Sequence, residues 1–152
     1  MTTPESRLAD LGITLPEPMA AVANYVPFVI TGNQLFVSGQ VSAGPDGRVI
    51  GRLGENMSLE EGQAAARLCA LNLIAQCKAA VSDLSRIKRV VKLGGFVNAH
   101  PDFVEIPQVI NGCSNLMVDV FGDAGRHARF AVASPVLPLG VAVEVDGVFE
   151  IG

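Results

Sequence analysis

Residues 58–83 read SLEEGQAAARLCALNLIAQCKAAVSD, and this stretch decides the fold class. Ser58 and Glu61 form a capping box, in which the serine oxygen accepts from a first-turn amide while the glutamate reaches back to the cap. Beyond Arg67 the segment is apolar on almost every face. A helix of this kind has to be covered on more than one side. We therefore predict one long helix packed between its own sheet and further structure.

Patterns typical of β-strands lie on both sides of this helix. Short apolar runs upstream flank a loop that tolerates positive φ, which favours a hairpin, and a β-branched run follows downstream. The predicted strands are 28–30, 35–37, 87–98, 129–133 and 141–151, with turns at 44–47 and 122–125. A second long helix is predicted at 103–120, with Pro107 in its first turn. The order β-β-α-β-α-β-β predicts an α+β fold, one mixed sheet with two long helices on one face.

The chain is expected to form a single domain over residues 1–152. Within residues 1–23, a short N-terminal helix is predicted to be capped by Thr3 and to end at Gly12. An extended connector follows it. Hydrophobic residues make up 49% of the chain and charged residues 17%, which argues against disorder. The longest apolar runs are far shorter than the roughly 18 residues that a membrane span needs, and no signal segment is recognisable, so we expect no membrane partner and a cytoplasmic location. The surplus of apolar residues predicts association with further copies.

The net charge and the spacing of the cysteines limit which partners and cofactors are expected. The net charge is −4, and no basic cluster is dense enough to follow a phosphate backbone, so nucleic acid is not an expected partner. Cys69, Cys77 and Cys113 have no regular spacing, which argues against a disulfide framework or a zinc site. We therefore expect no metal site.

Two charged residues in the apolar C-terminal half are the main candidates for chemistry. Arg129 lies at the start of a strand, where its planar fork suits a carboxylate, although a surface charge or an internal ion pair explains it equally well. Glu144 is either a solvent-facing strand residue or a half-buried carboxylate that holds water. Tyr25 is either a core residue or a hydrogen-bond donor to a ligand. His100 and His127 lie in no nucleophile motif, and each alone fits a structural role.

Several segments occur in a characteristic order: Leu35-Phe36-Val37-Ser38-Gly39-Gln40, the long helix, Val90 to Val97, Arg129, Leu137-Pro138 and Val143-Glu144-Val145 with Val148. Ser-Gly-Gln after an apolar strand and the Arg…Leu-Pro…Val-Glu-Val ending are moderately specific separately, and together in order they are strong. By these segments the chain resembles the Rid family (YjgF-like, endoribonuclease L-PSP) over nearly its whole length.

The resemblance implies a chorismate-mutase-like fold in a homotrimeric barrel, with ligand sites in the clefts between subunits. Active members hydrolyse 2-imino (enamine) acids to 2-keto acids and ammonia without a metal or cofactor. By this resemblance Arg129 clamps the substrate carboxylate and Glu144 helps to position water. Tyr25 lines the pocket across the interface, Ser38 belongs to the substrate-binding motif, and backbone groups around Phe130 and Ala131 contact the ligand.

This chain departs from well-studied members after the arginine. They carry a small polar residue and then cysteine, whereas this chain has Phe130 and Ala131, which implies a narrower or differently shaped pocket. The segment from 111 to 129 is similar to a separate branch of the family, and we hypothesise that Asn111, Ser114, Arg126 and His127 line its cleft.

Three functions follow from the resemblance and the composition. The leading hypothesis is an imine/enamine deaminase acting on a small carboxylate-bearing metabolite. The alternative is a non-catalytic trimer that binds a small carboxylate, which Phe130 favours. An endoribonuclease is the third, and the acidic charge balance argues against it.

Overall fold

The computed structural model describes residues 1–152 and contains a five-stranded sheet with helices on one face. The strands are β1 (Phe28–Thr31), β2 (Gln34–Val41), β3 (Ala43–Gly44), β4 (Gly47–Arg48), β5 (Ile87–Asn98), β6 (Ala128–Ser134) and β7 (Val143–Ile151). The helices are α1 (Pro4–Asp10), α2 (Leu59–Val81) and α3 (Ile106–Phe121). The predicted order of long elements is confirmed, and the turn predicted at 44–47 joins β3 and β4 in a small separate hairpin.

The main sheet is mixed, as predicted, with the order β1-β2-β7-β5-β6. β1, β2, β7 and β5 pair antiparallel, whereas β6 runs parallel to β5. A parallel neighbour needs a crossover, and α3 provides it. β6 is therefore an edge strand with one side unpaired, and Arg129 lies on it.

Helix α2 has the cap that its sequence predicts. Ser58 Oγ accepts from the Glu61 amide at 3.2 Å, and Glu61 Oε1 accepts from the Ser58 amide at 3.0 Å. By length and composition α2 would suffice to cross a membrane, yet 61% of its apolar stretch is buried inside the fold. Asn72 also donates to the backbone carbonyls of Val41 and Ala43, at 3.1 and 3.0 Å. These contacts make α2 the core helix that lies on the sheet.

Helix α3 begins at Ile106 rather than at the predicted residue 103. The Phe103 amide bonds the His100 carbonyl in a turn, and regular helix starts only just before Pro107. A β-carbon at Gly112 would overlap the backbone carbonyl of Gln63, so glycine allows α3 to lie directly against α2. The predicted loop at 122–125 is a short 3-10 turn, and β7 begins at residue 143 rather than 141.

The two faces of the sheet differ in their cover. The helix face carries the buried core, which includes Leu35, Leu93 and Phe149. On the opposite face four apolar side chains on three strands are 38–42% exposed: Phe36, Phe96, Phe130 and Val132. These side chains form an exposed apolar patch on the open face.

Candidate functional site

Arg129 points from the β6 edge towards α3. Its Nη1 donates to Ser114 Oγ at 3.0 Å, and its Nη2 donates to the Pro107 carbonyl at 3.3 Å. The side chain is partly buried, and no ion pair in the structure includes it. Arg129 is therefore neither a fully exposed surface charge nor neutralised by an internal acid. Two of the five guanidinium N–H groups are used by these neutral partners, and three remain for an anion.

His127 shares the Ser114 hydroxyl with Arg129. Its Nε2 lies 2.9 Å from Ser114 Oγ, and its Nδ1 lies 2.6 Å from the Gly125 carbonyl oxygen. A carbonyl only accepts, so Nδ1 carries the proton and Nε2 is the acceptor for the Ser114 hydroxyl. Burial lowers the pKa of His127, the bond to Gly125 opposes this, and the charge on Arg129 lowers the pKa further. His127 is thus neutral near pH 7.

These side chains line a shallow cavity of about 290 Å³ beside α3. Its walls are Asn111, Ser114, Asn115, Val118, Arg126, His127 and Arg129. No carboxylate belongs to this lining, and the Asp123 partner of Arg126 lies 3.6 Å away in an exposed pair. The cavity is therefore electropositive and suited to a small anion.

Glu144 lies on the open face of β7, opposite Phe96 of β5 and Val41 of β2. Its carboxylate rests against Gly39, where a β-carbon would overlap Oε2. Burial raises the pKa of Glu144, and the neighbouring charge of Asp146 raises the pKa further. A half-buried carboxylate with a raised pKa is suited to accept a proton from water.

The Glu144 carboxylate borders a cleft of about 400 Å³ under the N-terminal connector. Tyr25 and Ser38 line the same cleft; Tyr25 is 54% exposed, and Ser38 Oγ donates to the Val26 carbonyl at 2.8 Å. Gln40 is 4% exposed there, and its Oε1 has no hydrogen-bond partner. The hydrogen bond from Ser38 to Val26 holds the connector in place, and the connector forms one wall of this cleft.

Phe130 and Ala131 point to opposite faces of β6. The Phe130 ring meets Phe96 edge to face with centroids 5.4 Å apart, and Lys92 Nζ lies 5.6 Å from the Phe130 centroid. Ala131 packs against the core on the helix face. The Phe130 side chain thus lies on the open face, whereas the Arg129 side chain points towards α3.

Apart from Phe130 and Ala131, which line neither cavity, the predicted site residues fall into two clusters within one chain. Asn111, Ser114, His127 and Arg129 line the cavity beside α3, which we call the arginine cavity. Tyr25, Ser38 and Glu144 line the cleft under the connector, which we call the glutamate cleft. Sequence reasoning did not identify Gly39 or Asp146 as parts of the site, although both shape the surroundings of Glu144. Arg129 and Glu144 thus line different cavities.

A model of the family described as "YjgF/chorismate_mutase-like, putative endoribonuclease" matches residues 5–150. The chain is 50% identical to the protein TCP17 of Trypanosoma cruzi over 148 residues. This alignment covers 96% of this chain and 92% of TCP17. Both comparisons extend over nearly the whole sequence, including both clusters.

Two solved structures have closely similar folds. The protein Atu1372 from Agrobacterium tumefaciens, of unknown function, is 50% identical with a TM-score of 0.90, covering 99% of this chain and 94% of that one. A protein from Shewanella oneidensis, described as a putative endoribonuclease, is 43% identical with a TM-score of 0.95, covering 99% of this chain and 100% of that one. The fold described above is therefore closely similar to the folds of these two proteins.

Proposed function

Because the chain belongs to the YjgF/chorismate mutase-like family, we propose that it is a 2-imino (enamine) acid deaminase. The proposed substrate is a small carboxylate-bearing imine, and the products are a 2-keto acid and ammonia. The proposed enzyme is a cytoplasmic homotrimer with its sites between subunits. The observation that carries this proposal is the guanidinium of Arg129, partly buried and held by two neutral acceptors.

Arg129 meets the requirements of a carboxylate clamp. Bonds to Ser114 and Pro107 fix the plane of the guanidinium, while its positive charge stays without an acidic partner. A fixed fork loses little conformational entropy when it binds a planar anion, and charge-assisted hydrogen bonds are about twice as strong as neutral ones. This combination supports binding of an organic acid.

Association of subunits would complete the site. Arg129 lies on the edge strand, and the arginine cavity and the glutamate cleft are separate in one chain. The exposed apolar face, with Phe36 and Phe96, favours burial against other copies. In the proposed trimer the Tyr25 side of one subunit faces Arg129 of the next.

The proposed reaction asks little of the protein. Water adds its oxygen to the electrophilic imine carbon to give a carbinolamine. Both protons of the water pass to the nitrogen, the one accepted by Glu144 being returned to it, and the carbon–nitrogen bond then breaks to leave the 2-keto acid and ammonia. Glu144 would hold the water and accept its proton, and its raised pKa suits that role. Arg129 would hold the carboxylate at one end, so most of the acceleration would come from proximity.

The direct test is hydrolysis of 2-iminobutyrate generated in situ. Release of 2-oxobutyrate is followed with the wild-type protein, with heat-inactivated protein and with buffer alone. We expect a rate above both controls that is proportional to protein concentration. A wild-type rate equal to buffer would remove the deaminase from consideration.

A non-catalytic carboxylate-binding trimer is the second candidate. Phe130 favours it, because its ring packs on Phe96 at a position where a small polar side chain would leave room. A binder is stabilised according to ligand concentration over its dissociation constant. Thermal-shift measurements with keto and amino acids separate the cases: stabilisation without turnover supports the binder, and no stabilisation contradicts it.

The family description also names an endoribonuclease activity. The net charge of −4 disfavours a long polyanionic substrate. We expect no cleavage of a long RNA at low salt, and cleavage that Arg129→Ala abolishes would contradict this expectation.

A further inference from the structure

A continuous line of hydrogen bonds runs from the backbone of the 3-10 turn to the guanidinium of Arg129. The Gly125 carbonyl accepts from His127 Nδ1 at 2.6 Å, and His127 Nε2 lies 2.9 Å from Ser114 Oγ. Ser114 Oγ in turn accepts from Arg129 Nη1 at 3.0 Å. These three hydrogen bonds link the 3-10 turn, helix α3 and strand β6 in a single network.

The direction of each bond is fixed by chemistry. The Gly125 carbonyl can only accept, which places the proton on Nδ1 and leaves Nε2 as an acceptor. The single Ser114 proton must then point to Nε2, because Arg129 has no lone pair to receive it. The lone pairs of Ser114 are consequently directed towards Arg129. The neutral state of His127 thus determines how Ser114 presents its oxygen to the guanidinium.

We infer that Ser114 and His127 form a relay that positions Arg129, and that this relay makes the grip on a carboxylate sensitive to pH. The inference rests on the proposed role of Arg129 as the carboxylate clamp. Ser114 and His127 act as positioning residues in this account.

Protonation of His127 would disturb the relay for two reasons. Nε2 would become a donor, so two cations would donate to the one oxygen of Ser114. The charged groups that line the cavity are Arg126 from the preceding turn and Arg129 from β6, and both are positive. Helix α3 contributes only neutral groups there, and burial raises the pKa of its Cys113 thiol to about 12. No carboxylate in the lining compensates a third positive charge.

The direction of the effect follows from the histidine. Burial holds the pKa of His127 below its ordinary value, so the neutral form and an intact relay exist near pH 7. The relay is lost as pH falls through that lowered pKa. The affinity for a carboxylate should therefore fall with acidification, although the acid itself stays ionised.

The first measurement is independent of any ligand. Long-range ¹H–¹⁵N NMR of the full chain reports the tautomer of each of its two histidines, and His100→Asn assigns the signals. We expect His127 at pH 7.5 to be neutral and protonated on Nδ1. A neutral ring protonated on Nε2, or a charged ring at this pH, would overturn the relay whether or not the protein is a deaminase.

The second measurement is the affinity for 2-oxobutyrate by calorimetry between about pH 8 and pH 5.5. Loss of one bond to a charged group should weaken binding about tenfold in Ser114→Ala. Ser114→Thr keeps the hydroxyl and should bind within about threefold of wild type. The fall in affinity on acidification should persist in Glu144→Gln and disappear in His127→Gln. Affinity that is independent of pH, or equal in Ser114→Ala and wild type, would contradict the inference.

The two proposals fail in different ways. No binding of 2-oxobutyrate at any pH, with the expected tautomer in NMR, would sink the carboxylate clamp and the pH-sensitive grip, and the relay would survive only as a structural feature. Tight binding that does not respond to pH would sink the inference and leave the clamp standing.

Discussion

The carboxylate of Glu144 on β7 occupies the space that a side chain at Gly39 on β2 would fill. Val41 on β2 pairs with Glu144, so Gly39, two residues earlier on the same face of β2, is a diagonal neighbour of Glu144. A β-carbon at position 39 would overlap Oε2 and displace the carboxylate. Gly39 therefore determines where the proposed water-holding group lies.

Gly39→Ala should lower the turnover of 2-iminobutyrate while the protein stays folded. The atom that must move is the tip of a flexible side chain, so the cost in stability is small. A displacement of about 1 Å costs as much as 100-fold in rate, and we expect at least about a tenfold loss. Gly44→Ala is the matched control, because its β-carbon meets the tip of Leu68 away from the site. Equal kcat values for the two variants would contradict this role of Gly39.

Asp146→Asn should move the acid limb of the pH–activity profile to lower pH. Burial and then the charge of Asp146 raise the pKa of Glu144, so removal of that charge lowers the pKa. The ionised base then persists to lower pH. Asp119→Asn removes the same charge from an exposed position on α3 and should leave the acid limb where it is in the wild type. An unmoved limb in Asp146→Asn would show that Glu144 does not govern it.

Gly112→Ala should destabilise the fold. The added methyl group meets the rigid backbone carbonyl of Gln63 on α2, and this clash outweighs the gain of about 1 kcal/mol in helix propensity. Overpacking of this kind lowers the free energy of unfolding by about 1–3 kcal/mol. Each kcal/mol lost lowers Tm by about 2–4 °C. Asp119→Ala on the solvent side of the same helix should change Tm little. A Gly112→Ala protein as stable as wild type would place α3 further from α2.

Phe36→Asp should dissociate the proposed trimer. Phe36 is 42% exposed on the open sheet face, where a carboxylate would be buried without a partner after association. Light scattering after size-exclusion chromatography should give the mass of three subunits for wild type and a smaller mass for the variant. Val104→Asp changes a 78% exposed valine outside the sheet and should stay trimeric. If Phe36→Asp elutes as the wild type does, the open face is not the interface.

Much of the fold was predictable because its signals are local. The Ser58–Glu61 capping box marks the start of α2, and the turn chemistry at 44–47 marks a small hairpin. The start of α3 was predicted three residues too early, at 103 instead of 106, because Phe103 is held in a turn by His100. The pairing order of the strands depends on long-range contacts that no local pattern records.

The site was predictable only in part. Asn111, Ser114 and His127 lie beside Arg129 in one cavity, because α3 and the start of β6 bring them together; that this cavity binds a ligand stays a prediction. The shaping of Glu144 by Gly39 comes from strand register and from the absence of a side chain, which a single sequence does not reveal. Their roles in catalysis stay predictions.

The most direct measurement is kcat/KM for 2-iminobutyrate in wild type, Arg129→Ala, Arg129→Lys and Arg89→Ala. Loss of two charge-assisted bonds should lower the value about 100-fold or more in Arg129→Ala. Lysine keeps the charge but not the fork, so Arg129→Lys should recover only part of it. Arg89 is mostly exposed, with Nε 3.8 Å from Glu150, and its loss should leave kcat/KM unchanged. An Arg129→Ala protein as active as wild type would contradict the account.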